Sequence, residues 1–235
     1  MKITKSNTLF QLSFMPRLFP VNCYLVEEEQ ELTLIDAAMP YSVKGIIRAS
    51  LKIGKPITKL ILTHAHSDHV GALDAIKKLL PDIEVSISTR DAMLLAGDTT
   101  LLEGEPASPI RGGVPKNILT KPDRLLMEGD YIGSLEVIAS PGHTPGSIAL
   151  LDKRNAGLIV GDAFQTRGKV AVSGLVVPSF PFPALATWNK EKAINSAKKL
   201  AALQPALLAA GHGKMIVEPT QAMMQAINEA EKLLK

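Results

Sequence analysis

Apolar and polar positions alternate or cluster in short runs over the first 36 residues. Residues 9–14, 22–26 and 31–36 each predict a strand, separated by prolines and by the acidic turn Glu27-Glu28-Glu29-Gln30. Runs this close together favour antiparallel hairpins. The pattern then changes. Residues 42–51 carry helical periodicity ended by Gly54-Lys55-Pro56, and KLILT at 59–63 is the short apolar run of a buried strand. Val70, Leu73, Ile76 and Leu80 share one face ahead of Pro81, which predicts a single helix over 68–80. A strand at 83–88 and a short helix at 91–96 follow. Residues 97–118 hold no periodic stretch, and a Gly- and Pro-containing loop of that length in a compact domain is usually functional.

The second half begins again with hairpin-like pieces at 124–127, 131–132 and 135–139. Residues 148–151 and 158–160 flank a turn at 152–156, and 164–185 is irregular. A helix is expected over 186–203, a strand over 206–209 and a last helix from about 220 onward. Both halves thus run from hairpins to strand–helix alternation. A doubly wound parallel sheet would alternate from the start. Two mixed β-sheets packed together with helices outside, an α/β class, fit better. No linker divides the chain, so residues 1–235 are expected to form a single domain.

Composition adds limits. At 235 residues, 46% hydrophobic and 21% charged, the chain can bury a large core unaided. The net charge of +3 is spread over scattered lysines, without the concentrated stripe that a nucleic-acid partner requires. Cys23 is the one cysteine, so no internal disulfide forms. The N-terminal stretch lacks an apolar run of signal-peptide length and nothing approaches ~20 apolar residues, so the expectation is cytoplasmic, without a membrane partner.

The chemistry sits in the histidines. Three of the five lie in THAHSDHVG at 63–71, between the KLILT strand and the helix beginning near Asp68. Imidazole and carboxylate donors crowded on one turn suit a divalent transition metal. His143 in SPGHTPGS, Asp162 in LIVGDAF and His212 in AAGHGK each follow a strand and sit in or beside a Gly-containing turn. All five histidines and a further carboxylate therefore occupy the same kind of place.

The ordered set H-x-H-x-D-H, GHTPG, GD and GHG, spanning about residues 20 to 215, resembles the metallo-β-lactamase superfamily. The resemblance implies a four-layer αββα sandwich. It implies that His64, His66 and His143 hold a first metal, that Asp68, His69 and His212 hold a second, and that Asp162 bridges both together with a water or hydroxide. Asp36 would orient a ligand loop from behind, although Ala37-Ala38-Met39-Pro40 stands where the family usually places a small residue and Gly. The implied cofactors are two Zn2+ per chain, with Fe, Mn or Co possible in their place. The implied reaction is attack of the bridging hydroxide on the carbonyl of a small ester, lactone or thioester, with Asp68 as the catalytic proton carrier.

Within the family, Asp162 resembles the glyoxalase II and lactonase branches and speaks against a β-lactamase. Too few residues follow His212 for a glutathione-binding helical region, and Gln165 stands where lactonases usually carry Tyr. The alternative is a persulfide dioxygenase-like oxidoreductase holding one iron on His64, His143 and Asp162. Candidate substrate contacts are Arg17 and Phe19 in the first loop and Phe164, Gln165, Phe180 and Phe182 in the second. The expected partner is a small, partly apolar molecule, and the expected assembly a monomer or homodimer.

Overall fold

The computed structural model describes residues 1–234. The first half forms a seven-stranded sheet in chain order: β1 (Lys2–Ser6), β2 (Leu9–Phe14), β3 (Val21–Glu27), β4 (Leu32–Ile35), β5 (Ile57–Leu62), β6 (Glu84–Ser88) and β7 (Arg124–Leu126). The strands from β1 to β4 pair antiparallel, and those from β4 to β7 pair parallel. Helices α1 (Val43–Ile53), α2 (Ser67–Val70), α3 (Leu73–Leu79) and α4 (Asp91–Leu95) lie between the parallel strands in sequence, as parallel pairing demands of its crossovers.

The second sheet takes β8 (Tyr131–Ile132), β9 (Leu135–Ala139), β10 (Ile148–Asp152) and β11 (Gly157–Ile159) from the hairpins. After a small ribbon of β12 (Phe164–Gln165) and β13 (Ala171–Val172) come the helices α5 (Phe182–Leu185) and α6 (Lys190–Ala202), then β14 (Leu207–Ala209), β15 (Ile216–Val217) and α7 (Thr220–Lys232). The strand order is β15-β14-β11-β10-β9-β8, with β14 parallel to β11.

Strand alternation sorts the apolar residues into three layers of core. Tyr24, Val26, Ile35 and Ile61 of the first sheet meet Val137, Ile148, Leu150 and Ile159 of the second. The intervening residues Leu25, Leu34, Leu60 and Leu62 face the other way, onto Ile46, Val70, Leu73 and Ile76 of the first helices. Ile138, Ala149 and Leu158 likewise pack on Ile194, Ala197, Met223 and Ile227 of α6 and α7. The layers are helix, sheet, sheet, helix, as the sequence reading expects.

Four details differ. Strand β1 lies outside the predicted elements; it pairs at the edge as Lys2↔Ser13 through Ser6↔Leu9. The single helix expected over 68–80 is two, α2 and α3. The His69 carbonyl is drawn away to accept from Ala37 N at 2.6 Å, and Gly71 packs so closely on Pro40 that a Cβ there would lie 2.6 Å from its Cδ. The irregular 164–185 stretch holds β12, β13 and α5. Finally, α6 starts at Lys190 rather than 186, because Asn189 caps it by accepting from Lys192 N at 2.8 Å.

Candidate metal centre

The C-terminal ends of β4, β5, β9, β11 and β14 deliver Asp36, His64, His143, Asp162 and His212 in turn, and α2 adds Asp68 and His69. Those strands belong to both sheets, so the cluster sits at one edge of the sandwich. All five imidazoles and Asp162 are buried, while the Asp68 side chain keeps 28% of its surface exposed.

Each imidazole is held by one nitrogen and turns the other inward. His64 Nδ1 donates to Thr63 Oγ1 at 3.1 Å, because that hydroxyl already donates to Asp36 Oδ2. His69 Nδ1 donates to Asp36 Oδ2 at 2.8 Å. His143 Nδ1 donates to Thr187 Oγ1 and Ser173 Oγ, each 3.2 Å away. His212 Nδ1 donates to the Pro20 carbonyl at 2.6 Å. His66 is reversed: its Nε2 donates to the Arg111 carbonyl at 2.9 Å, leaving Nδ1 inward. These outer bonds fix tautomer and ring orientation.

The inner atoms converge. His66 Nδ1 lies 2.9 Å from His143 Nε2. Asp162 Oδ2 lies 3.4 Å from His143 Nε2 and 3.2 Å from His212 Nε2, and its Oδ1 lies 3.5 Å from His69 Nε2. Asp68 Oδ2 lies 3.4 Å from His212 Nε2 and 3.9 Å from His69 Nε2. Donor atoms come within 4.8 Å of one another in three groups: His64/His66/His143, His64/His69/Asp162 and Asp68/His69/His212. Among the described residues, His64 Nε2, His69 Nε2 and Asp162 Oδ1 are buried without a hydrogen-bond partner.

Buried atoms left unpaired are costly. With the outer nitrogens protonated and the imidazoles neutral, every inner atom is an acceptor. A set made only of acceptors, in nitrogen and carboxylate oxygen, fits divalent cations. The charge balance divides the cluster. Burial, then the neighbouring imidazoles, push His64 well below its ordinary pKa. Burial and His66 bring His143 down to about 3. Burial also drags on His69 and His212, but there Asp162 and the other carboxylates win, lifting His69 well above its usual value and His212 to about 10. Burial opposes ionisation of Asp162, yet His212 and His69 hold it well below the carboxylate range. The carboxylate side thus demands positive charge, and metal ions meet that demand.

A cavity of about 300 Å3 opens over the cluster, lined by His66, Asp68, His143, Asp162 and His212, by Gly112 and Gly113, and by Phe19, Phe182 and Leu185. Of the expected substrate contacts, Phe19 and Phe182 reach it. Phe180 stands behind them, buried, its ring centroid 5.1 Å from those of both Phe19 and His212. Phe164 does not reach the cavity; it is fully buried in the core under α6 and α7. Gln165 is also buried away from it and donates to the Phe180 carbonyl at 3.2 Å. Arg17 is exposed outside the cavity, where its hydrated guanidinium costs nothing, and its carbonyl accepts from Arg167 Nη2 at 2.8 Å.

Sequence reasoning missed Asp91. Its fully buried carboxylate accepts from Ala65 N, Thr144 Oγ1 and Gly146 N at 2.9, 2.7 and 2.8 Å, joining the loop of His64 and His66 to that of His143. Its one signal was its position just past the end of β6. The Arg111 and Pro20 carbonyls carried no signal, since a backbone acceptor looks the same in every residue.

A family model described as the metallo-beta-lactamase superfamily matches residues 16–212. The chain belongs to the metallo-β-lactamase superfamily. It is 58% identical over 232 residues to the uncharacterized protein YobT of Bacillus subtilis, covering 99% of this chain and 100% of YobT. More distant members of the superfamily carry functional names. The chain is 33% identical over 165 residues to the acyl-coenzyme A thioesterase MBLAC2 of Gallus gallus, covering 60% of this chain and 56% of that protein. It is 28% identical over 156 residues to the hydroxyacylglutathione hydrolase GloC of Haemophilus influenzae, covering 64% and 69%. Among solved structures of this fold, TTHA1623 in a di-iron-bound form superposes with a TM-score of 0.66 at 28% identity, covering 91% of this chain and 96% of that one. The chain is thus an enzyme of the metallo-hydrolase superfamily, and its His/Asp cluster implies divalent metal ions. Among the described residues, no helix is long and apolar enough to cross a membrane.

Proposed function

We propose that the chain is a dinuclear hydrolase of small carbonyl compounds, with a thioester or ester bearing an apolar acyl group as substrate. The observation that carries this is the set of five imidazoles, each anchored by one nitrogen with the other turned toward Asp162 and its neighbours. His64, His66 and His143 would hold one ion, Asp68, His69 and His212 the other, and Asp162 would serve both. Bound ions would supply a nucleophilic water of lowered pKa and an electrophile for the carbonyl oxygen. Zinc is the first choice for nitrogen and carboxylate donors. Iron is the second, supported by the di-iron form of TTHA1623.

The chain's own residues do the rest. Phe19, Phe182 and Leu185 give the acyl group an apolar wall and keep bulk water from the carbonyl. Asp68 is the partly exposed carboxylate of the cluster. Burial works against its charge, but His69 and His212 keep it ionised. It can take the proton of the attacking water as the oxygen bonds to the carbonyl carbon. It returns that proton to the departing sulfur or oxygen when the carbon–sulfur or carbon–oxygen bond breaks, leaving a carboxylic acid and a thiol or alcohol. The thioester choice is supported by the relatives named as an acyl-coenzyme A thioesterase and a hydroxyacylglutathione hydrolase.

The test is elemental analysis followed by a panel of thioesters, esters and lactones on the zinc-loaded protein. Two metals per chain with turnover of the panel is the expected result. One iron per chain with oxidation of a persulfide, and no hydrolysis, would replace this reading with the dioxygenase-like one.

A further inference from the structure

A second cavity, of about 400 Å3, lies on the other side of the first loop. Strand β1 supplies its floor. Lys2 and Thr4 are two positions apart and so share a face, opposite Ser13 and Gln11 of β2. Arg167 and Lys214 close it from the turns that follow β12 and His212. It contains three cations and no carboxylate among its lining residues. Among the described residues, none of the three makes an ion pair, although nearby Lys169 is paired with Glu229. Arg167 is instead pinned from behind, its Nη2 donating to the Arg17 carbonyl.

Two pairs of chain neighbours divide between the two cavities. Phe19 faces the metal-centre cavity while its neighbour Pro20 faces this one. His212 lines the first and Gly213 the second. Successive Cα atoms are about 3.8 Å apart, so the cationic cavity begins one residue beyond the candidate reaction centre. A guanidinium and two ammonium groups around one hollow match the oxygens of a phosphate ester or anhydride, which accept several charge-assisted hydrogen bonds at once.

We propose that this cavity binds a phosphate-bearing ligand, with Lys2, Arg167 and Lys214 as its contacts. In combination with the thioester reading of the previous section, on which this point rests, the ligand is the phosphorylated carrier portion of the substrate. These neighbours then separate the acyl-binding end from the carrier end. A free nucleotide phosphate offers the same chemistry, and the experiment separates the two sources.

Binding of ADP to the metal-loaded protein is measured by calorimetry for the wild type, for Lys2→Gln/Lys214→Gln and for the charge-preserving Lys2→Arg/Lys214→Arg. Thermal unfolding and metal content check that each variant is intact. The proposal expects ADP to bind the wild type, to bind the Gln pair about tenfold more weakly, and to be restored by the Arg pair. Equal binding to wild type and Gln pair, or no binding to the wild type, overturns it. This arm needs no turnover, so it stands apart from the hydrolase reading. In a second arm, KM is compared for an acyl-coenzyme A and for the same acyl group on unphosphorylated pantetheine. A carrier-binding cavity gives a lower KM for the phosphorylated substrate, with that preference lost in the Gln pair and with ADP competing. If ADP binds the wild type but neither competes nor tracks that preference, the ligand is a free phosphate compound. Failure of both thioesters to turn over counts against the hydrolase reading alone.

Discussion

Asp36 Oδ2 lies 2.8 Å from His69 Nδ1 and also accepts from the Thr63 hydroxyl, while Oδ1 accepts from Thr63 N at 2.8 Å. One carboxylate thus orients His69 directly and His64 through Thr63. It does so from a left-handed backbone, at φ 61°, which Asp tolerates better than most residues. Asp36→Asn replaces one of the accepting oxygens with a donor, which must face either an N–H or the imidazole proton. Metal affinity is expected to fall by about tenfold to a hundredfold, read by competition with a chromophoric chelator. Unchanged affinity would remove Asp36 from the ligand-orienting role.

Gly112 is pressed against His66. A Cβ there would lie 2.4 Å from His66 Nε2, and its φ of +88° already disfavours a side chain. The adjacent Gly113 would place its Cβ 3.4 Å from Ser67 Oγ, an acceptable contact. Gly112→Ala should therefore push the loop off the ring, break the bond from His66 to the Arg111 carbonyl and lower metal content. Gly113→Ala should retain it. Elemental analysis of the two purified variants decides the matter, and equal metal content in both would contradict the clamp.

Asp74 ties the end of the long loop to α3. Its carboxylate accepts from Thr120 N at 2.8 Å, from Thr120 Oγ1 at 2.6 Å and from Leu119 N. Partial burial opposes its charge, but these bonds outweigh it and lower its pKa. A lowered folded-state pKa contributes stability that is present above the unfolded value of about 3.9 and is lost as pH falls through the folded value. Wild type should therefore exceed Asp74→Asn in urea midpoint at pH 7, with the gap closing below about pH 4. Both proteins are compared after chelator treatment so that metal release does not enter. A gap independent of pH would mean that the charge on Asp74 is irrelevant to the tether.

Phe182 is half exposed at the cavity mouth, with its ring centroid 4.9 Å from that of Phe19. Truncation to Ala removes apolar wall without touching a metal-binding atom. For a long-chain acyl substrate, kcat/KM should fall about tenfold, the scale of one aromatic side chain's burial, while an acetyl substrate is little affected. Equal losses on both substrates would place Phe182 outside the acyl site.

The layered architecture and the seven candidate ligands were legible because they rest on short-range patterns. Tyr24 against Leu25 and Leu60 against Ile61 alternate between core layers as strand geometry requires. The candidate ligands stand at strand ends in or beside Gly-containing turns, or, for Asp68 and His69, on the short helix that follows one. What escaped was set by tertiary contact. The break between α2 and α3 comes from Ala37 taking the His69 carbonyl, a bond no helical periodicity foretells. Phe164 and Phe182 look equally suited to a substrate pocket in the sequence, yet one fills the core and the other faces the cavity. Asp91 looked like an ordinary helix-start residue because its partners, Ala65 and Gly146, are far from it in sequence.

The candidate ligands straddle a seam. His64, His66, Asp68 and His69 belong to the first half of the chain, and His143, Asp162 and His212 to the second. Polar bonds cross the seam beside them: Tyr24 and Asn22 reach the Ala210 carbonyl, Ile148 N reaches that of Thr63, and Asp91 accepts from Thr144 and Gly146. Cations gripped from both sides would act as a clasp. Withdrawing them would loosen the join while leaving each half's own sheet intact, so amide exchange at the ends of β5 and β11 would report loading before any substrate is known.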